Sequence, residues 1–358
     1  MSTVARDTAD VRDVLASGAT VLTRAGGTKR GLSGTPPPGV ELLDVSALSG
    51  VSEHLPSEFT LLARAATPVA EVEALLAAAG QYLPFDPMLA ASGATLGGTI
   101  AAGASGPGRV RYGGVRDFVL GVTLVDGTGT EIRGGGRVVK NAAGFDVPKL
   151  MVGSLGSLGV MTEVCLKVFP APEATLTLRA DTGSLEEGLT ALAALQAGPY
   201  ELDALDLDRE GRLWVRLAGR RRALASRAER VQASLPGAEV MAEPDAAAFW
   251  SGYRELDWLA RAAMVVRVPI TPRRIPDLDA GLPDTTLGRY SAAGQVAWLG
   301  WPAEPDPAAV DELLRQVGLC GLRWRGQAGR RLLGATGDGV VRQRLRTALD
   351  PEARLAQI

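Results

Sequence analysis

The chain has 358 residues, of which 46% are hydrophobic and 22% charged, and its formal net charge is -2. That length exceeds one ordinary core and falls short of three, so two domains of an ordinary globular protein are expected. Without a basic excess, non-specific attraction to nucleic acid or to anionic lipid is not expected.

The opening MSTVARDTADVRDVL lacks the apolar core of a signal peptide. No stretch reaches the roughly 18 apolar residues that a membrane span requires. A cytoplasmic protein with no transmembrane segment is the reading that follows. Residues 20–24 (TVLTR) read as a short strand running into Ala25-Gly26-Gly27-Thr28, and residues 60–64 (TLLAR) as another. Pro68 opens a helix that Gly80 closes, following the usual preference for proline at the start and glycine past the end. Residues 117–135 read as two strands around an Asp126-Gly127 turn, and residues 158–169 as β-rich. Pro170 and Pro172 then break the chain, and the first domain is drawn as residues 1–172.

The second half has a different rhythm. Strand 174–180, helix 184–196, a hairpin of 202–208 and 212–218, helix 220–235 and strand 238–242 give β-α-β-β-α-β, the ferredoxin-like order. After a helix over 245–259 the order recurs: strand 263–270, helix 272–278, hairpin 286–301, helix 306–317 and strand 319–325. Residues 173–337 are therefore expected to form a smaller, duplicated α+β cap. Residues 338–358 read as a C-terminal helix returning to the first domain.

Glycine is the compositional anomaly. The 44 glycines crowd residues 18–39, 93–114, 121–136 and 144–159. Such density marks sharp turns and places where backbone approaches a ligand. Two loops stand out: Arg24-Ala25-Gly26-Gly27-Thr28-Lys29-Arg30-Gly31, and Gly93-Ala94-Thr95-Leu96-Gly97-Gly98-Thr99-Ile100. A pyrophosphate needs several N–H groups converging with no side chain in the way, which glycine permits. Either loop alone is equally consistent with simple turns. No GxGxxG follows a strand, the spacing Gly153-x-x-Gly156-x-x-Gly159 does not fit, and no GxxxxGK[ST] loop occurs.

Cys165 and Cys320 are far apart and read as two buried free thiols, too few for an iron–sulfur cluster. His54 is the sole histidine and reads as a solvated loop residue, so zinc sites of the HExxH kind are excluded and no metal site is expected. Trp298, Trp301 and Trp324 fit either a partner surface or cap-core packing.

Taken in order, RAGGTKRG, then GATLGGTIAAGASGPGRVRYGGVRDFVLGVTLVDGTG, then GGRVVKNAAGFDVPKLMVGSLGSLGVMTEVCLKVFP resemble the vanillyl-alcohol-oxidase (PCMH) type of FAD-binding domain. Within that superfamily they are most similar to the GlcE-type FAD-binding subunit of glycolate oxidase. The resemblance implies an α+β fold with a PCMH-type FAD-binding domain and a cap of ferredoxin-like βαββαβ units. It implies that Arg24, Gly26, Gly27 and Thr28 wrap the diphosphate and that Gly93, Ala94, Thr95, Gly97 and Gly98 hold its other side. Ala102, Ser105 and Gly106 would run along the flavin, and Val160 would hold the adenosine part with its main chain. Lys140 and Asn141 fit both a polar contact to the flavin and structural packing. Arg109, Arg111, Arg116 and Asp117 fit either the cofactor or a structural ion-pair set.

Many members of that superfamily tether the flavin through histidine or cysteine. Neither residue lies in these loops, so FAD is expected to be non-covalent. The resemblance implies a sister FAD subunit, an iron–sulfur subunit and a small 2-hydroxyacid as partners, with any membrane association arising through those subunits. Oxidising a 2-hydroxyacid calls for a base and for cations facing the carboxylate. The chain offers arginines but no histidine base, so no catalytic residue is assigned and the sister subunit is expected to carry the substrate chemistry. A stand-alone 2-hydroxyacid dehydrogenase and a non-catalytic assembly subunit are the alternatives.

Overall fold

The computed structural model describes residues 2–33, 36–136, 145–327, 329–337 and 339–356. The chain divides into two compact units. The first comprises Met1–Ser105, Gly114–Ala171 and Asp338–Ile358; the second comprises Gly106–Gly113 and Pro172–Gly337. The short segment Gly106–Gly113, which the sequence reading put in the first domain, thus groups with the second unit.

The first unit holds two main sheets. The smaller is parallel, with Glu41–Asp44 between Ser2–Val4 and Val21–Arg24. The larger is antiparallel and runs Val51–Leu55, Thr60–Arg64, Val160–Lys167, Val119–Val125, Glu131–Gly135. The expected hairpin is present because Asp126 organises its turn. Its Oδ1 accepts from Thr128 N (2.8 Å), Thr128 Oγ1 (2.6 Å) and Thr130 N (3.0 Å), the local bonding that makes aspartate a turn former. The helix Val69–Ala78 follows Pro68 and buries Val69, Val72 and Leu76, one face at helical spacing.

Three expectations need correction here. His54 is not in a loop: it lies half-buried on Val51–Leu55, with Nε2 2.8 Å from Gln81 Oε1. Cys165 is buried as expected, whereas Cys320 is half-buried, and neither forms a disulfide among the described residues. The C-terminal helix covers only Val340–Leu349. Beyond it, Asp350 accepts from Arg354 N and Leu355 N, and Leu355 bridges Val21 in parallel, entering the core beside Leu43 and Val45. A carboxylate thus turns the chain where a longer helix was expected.

The second unit is one nine-stranded antiparallel sheet. Its order is Glu239–Val240, Ala174–Asp181, Arg212–Gly219, Ala204–Asp208, Leu287–Tyr290, Val296–Trp301, Met264–Pro269, Cys320–Arg325, Leu332–Gly334. The first four strands are the first βαββαβ repeat and the next four its copy, joined where Ala204–Asp208 pairs with Leu287–Tyr290. Duplication therefore produces one continuous sheet rather than two. Leu178, Leu205, Leu207, Val215, Val266 and Leu299 belong to a single apolar cluster. Alternation along the strands sends Asp206, Trp214, Arg267, Arg289 and Trp298 to the other face. Trp298 and Trp324 meet edge to face at 4.7 Å, and Trp301 lies in the apolar cluster. All three tryptophans are buried, so cap-core packing is what they do.

Candidate cofactor site

The two glycine-rich loops meet in the first unit. A side chain at Gly26 would fall well inside contact distance of the Gly93 carbonyl oxygen, so the loops touch main chain to main chain and only glycine fits. The first loop leaves the end of Val21–Arg24. The second leaves Gly93 at φ +91° and enters the helix Leu96–Ala102.

Their hydrogen bonding differs. In the second loop Gly93 N donates to Ala90 O (3.1 Å), Ala94 N to Leu89 O (2.9 Å) and Gly97 N to Ala65 O (2.6 Å). Gly98 N donates to the capping Thr95 Oγ1 at 3.3 Å. These donors are committed to the protein itself. Gly97 packs on the strand beneath, where an added Cβ would lie 2.9 Å from Ala65 O. In the first loop the N–H groups of Gly26, Gly27 and Thr28 have no acceptor among the described residues. The first loop therefore presents donors, while the second supplies a fitted wall.

Other buried polar groups lie on the elements that carry or adjoin these loops. Thr99 Oγ1, on the helix Leu96–Ala102, is buried and has no hydrogen-bond partner among the described residues. The same is true of Ser154 Oγ, in a turn tied to that helix by Gly153 N→Ile100 O (3.0 Å) and Leu155 N→Ala101 O (2.9 Å). Orphaned buried hydroxyls are uncommon and call for an occupant. Lys29, within the first loop, is buried, and its Nζ donates to Thr28 Oγ1 at 3.3 Å. None of Lys29, Thr99 and Ser154 was singled out from the sequence. Their signal was position: each lies within or beside one of the glycine runs.

The remaining expected residues scatter. Arg24 is exposed at the strand end. Ala102 and Ser105 are buried, and Ser105 Oγ accepts from Val115 N at 2.8 Å, a structural bond. Gly106 belongs to the second unit. Val160 starts its strand opposite Val125 with its side chain in the core. Lys140 and Asn141 lie outside the described residues. Arg111 donates to Glu201 O (3.0 Å), and Asp117 accepts from Gly114 N (2.9 Å), so these two have structural work. Burial, and secondarily the charge of Arg109, pushes Arg267 down to about 10.

A diphosphate fits this geometry: free N–H groups, a nearby ammonium and a glycine-lined wall. A family profile described as an FAD binding domain matches residues 3–135. The chain is 36% identical over 301 residues to glycolate oxidase subunit GlcE of Escherichia coli, covering 84% of this chain and 81% of that one. It is 35% identical over 130 residues to glycolate oxidase subunit GlcD of Bacillus subtilis, covering 36% of this chain but only 27% of that protein. Among solved structures, an alkyldihydroxyacetonephosphate synthase superposes with a TM-score of 0.73 at 16% identity, covering 100% of this chain and 77% of the other, a likeness of fold. Among the described residues, no helix is long and apolar enough to cross a membrane.

Proposed function

Because the chain belongs to the GlcE family of FAD-binding glycolate oxidase subunits, we propose that it serves as a flavin subunit of a complex that oxidises glycolate or a close 2-hydroxyacid and delivers the electrons to an iron–sulfur partner. The observation that carries this reading is the length of the match: 301 residues cannot be accommodated by the cofactor domain alone. The relative's name supplies the substrate class, and the GlcD relative supplies a sister subunit.

FAD, when bound, supplies a two-electron acceptor for the hydride of the hydroxyl-bearing carbon. The chain's own residues do the holding. Gly26, Gly27 and Thr28 donate main-chain N–H groups to the diphosphate, and Lys29 offsets its charge. Gly93, Ala94, Thr95, Gly97 and Gly98 shape the opposite wall and exclude water. Thr99 and Ser154 give their hydroxyls to polar edges of the cofactor. With no histidine or cysteine in the loops, binding is non-covalent.

The test is flavin counting. The assembled complex should reduce a dye with glycolate, and Gly26→Ala in this chain should lower its FAD content by one equivalent per copy. Unchanged flavin content in a folded Gly26→Ala complex would contradict the placement. A complex inert to 2-hydroxyacids would contradict the substrate class. Full turnover by this chain without any partner would favour the stand-alone enzyme.

A further inference from the structure

On the second unit, the sheet face opposite the apolar cluster carries an arrangement that the cofactor does not explain. The Arg289 guanidinium sits 4.7 to 5.6 Å from the ring centres of Trp258, Phe249, Trp214 and Tyr253. No carboxylate among the described residues lies within ion-pair distance of it, and it donates no hydrogen bond. Four rings hold the cation in place without neutralising it. Burial lowers its pKa, with the charges of Tyr253 and Asp206 opposing that effect.

Next to it, Asp206 is fully buried. Its Oδ1 accepts from Ser291 Oγ (3.0 Å) and from Ala292 N (3.2 Å), while Oδ2 has no hydrogen-bond partner among the described residues. The second donor comes from a left-handed turn in which Ala292, Ala293 and Gly294 have φ of 52°, 56° and 74°. Two consecutive alanines in that conformation are costly, and the carboxylate that fixes the turn is itself fixed by it. Tyr253 Oη is close enough to feel Asp206 and Ser291 but meets hydrogen-bond geometry with neither. Trp258 Nε1 is likewise buried without an acceptor. Asp206, Trp214 and Tyr253 are buried, whereas Arg289, Phe249 and Trp258 are half-buried, so the cluster has a floor and a more open rim.

The half-buried Arg289 guanidinium and the buried Trp258 N–H are donors, and Asp206 Oδ2 is an acceptor, the groups that would recognise a small molecule with a carboxylate at one end and a hydroxyl beside it. We propose that this cluster binds a small 2-hydroxycarboxylate, with Arg289 and Trp258 Nε1 holding the carboxylate and Asp206 Oδ2 with Tyr253 Oη holding the 2-hydroxyl. This rests on the substrate class proposed above, and it assigns the chain a substrate site of its own. The guanidinium is pre-positioned by its rings, so little ordering is left for the ligand to induce. Loss of one charged donor in such a site is expected to weaken binding by about tenfold or more.

The experiment is calorimetric titration of the full-length, FAD-loaded chain with glycolate, acetate and glycolamide. Glycolate should bind saturably, and acetate and glycolamide, each lacking one of the recognised groups, about tenfold more weakly. Arg289→Met should abolish the glycolate signal, with Arg289→Lys intermediate. Asp206→Asn should remove the preference for glycolate over acetate. If Arg289→Met does not fold, Trp258→Phe keeps the ring, deletes only the N–H, and should weaken glycolate about threefold to tenfold. Wild-type binding that is absent, or unchanged within about twofold in a folded Arg289→Met or in Trp258→Phe, overturns the inference. If D-lactate replaces glycolate with the same dependence on Arg289, the site stands and the glycolate reading falls. If the complex oxidises glycolate with a KM indifferent to Arg289, the function stands and the site falls.

Discussion

The two units build polar sites in opposite ways. The first works with main chain: free N–H groups at Gly26, Gly27 and Thr28 and a wall that Gly26 meets at the Gly93 carbonyl and that packs on Ala65 through Gly97. The second works with large side chains: four rings around Arg289 and a buried Asp206. A main-chain site tolerates almost no added atom, whereas a side-chain site tolerates changes that keep its shape and loses function when charge is changed. The two should therefore fail differently under mutation.

The largest effect is expected at Gly26→Ala. The new methyl collides with backbone rather than with a movable side chain, so FAD affinity should fall by about 100-fold or more and stability by several kcal/mol, on the order of a strongly overpacked core. Fluorimetric FAD titration and thermal melts check this, and retention of wild-type affinity would break the comparison. In the second unit the largest effect has the other sign. Burial pushes Asp206 from 3.8 up to about 6, against the opposing effects of Ser291 and Arg289. A carboxyl whose folded pKa is raised is held best below 3.8, and the protein loses about 3 kcal/mol as pH rises to 6. Asp206→Asn should therefore be more stable than wild type by about that amount at pH 8, and by little at pH 4, in denaturant titrations at both values. A flat difference across pH would show that the carboxylate is not strained.

Gly97→Ala should be milder than Gly26→Ala. Its Cβ meets Ala65 O at 2.9 Å and the Ala65 methyl at 3.0 Å, and a shift of the strand is expected to cost about 1–3 kcal/mol in chemical denaturation. The smallest effect is at Thr99→Val, which removes an orphaned hydroxyl without changing shape. Without FAD the variant should gain up to about 1 kcal/mol, and with FAD it should bind several-fold more weakly. Equal FAD affinity would remove Thr99 from the cradle.

Much of this fold was readable from local chemistry. Pro68 and Gly80 bracket a helix, and Asp126 makes its turn because its carboxylate collects three donors. The β-α-β-β-α-β rhythm and its repeat followed from alternation and spacing, and the sheet order bears out the duplication. What was not readable depends on partners distant in sequence. His54 is defined by Gln81, and the C-terminal tail by Val21. The strands Ser2–Val4 and Glu41–Asp44 are too short to show a period. The glycines marked the two loops that meet at Gly26 and Gly93, but nothing local distinguished the loop with free donors from the loop whose donors bond to Ala90, Leu89 and Ala65. The Arg289 cluster was invisible because Asp206, Trp214 and Arg289 on separate strands, and aromatics on the helix Glu243–Glu255 and the turn after it, each read as ordinary packing.

The most direct test of the central claim is the absorbance spectrum of the chain purified alone, before and after acid precipitation. Flavin bands that pass into the supernatant on acid treatment are the expected result, and would establish non-covalent FAD held by this chain. A chain that is folded, colourless and unable to take up added FAD would contradict it.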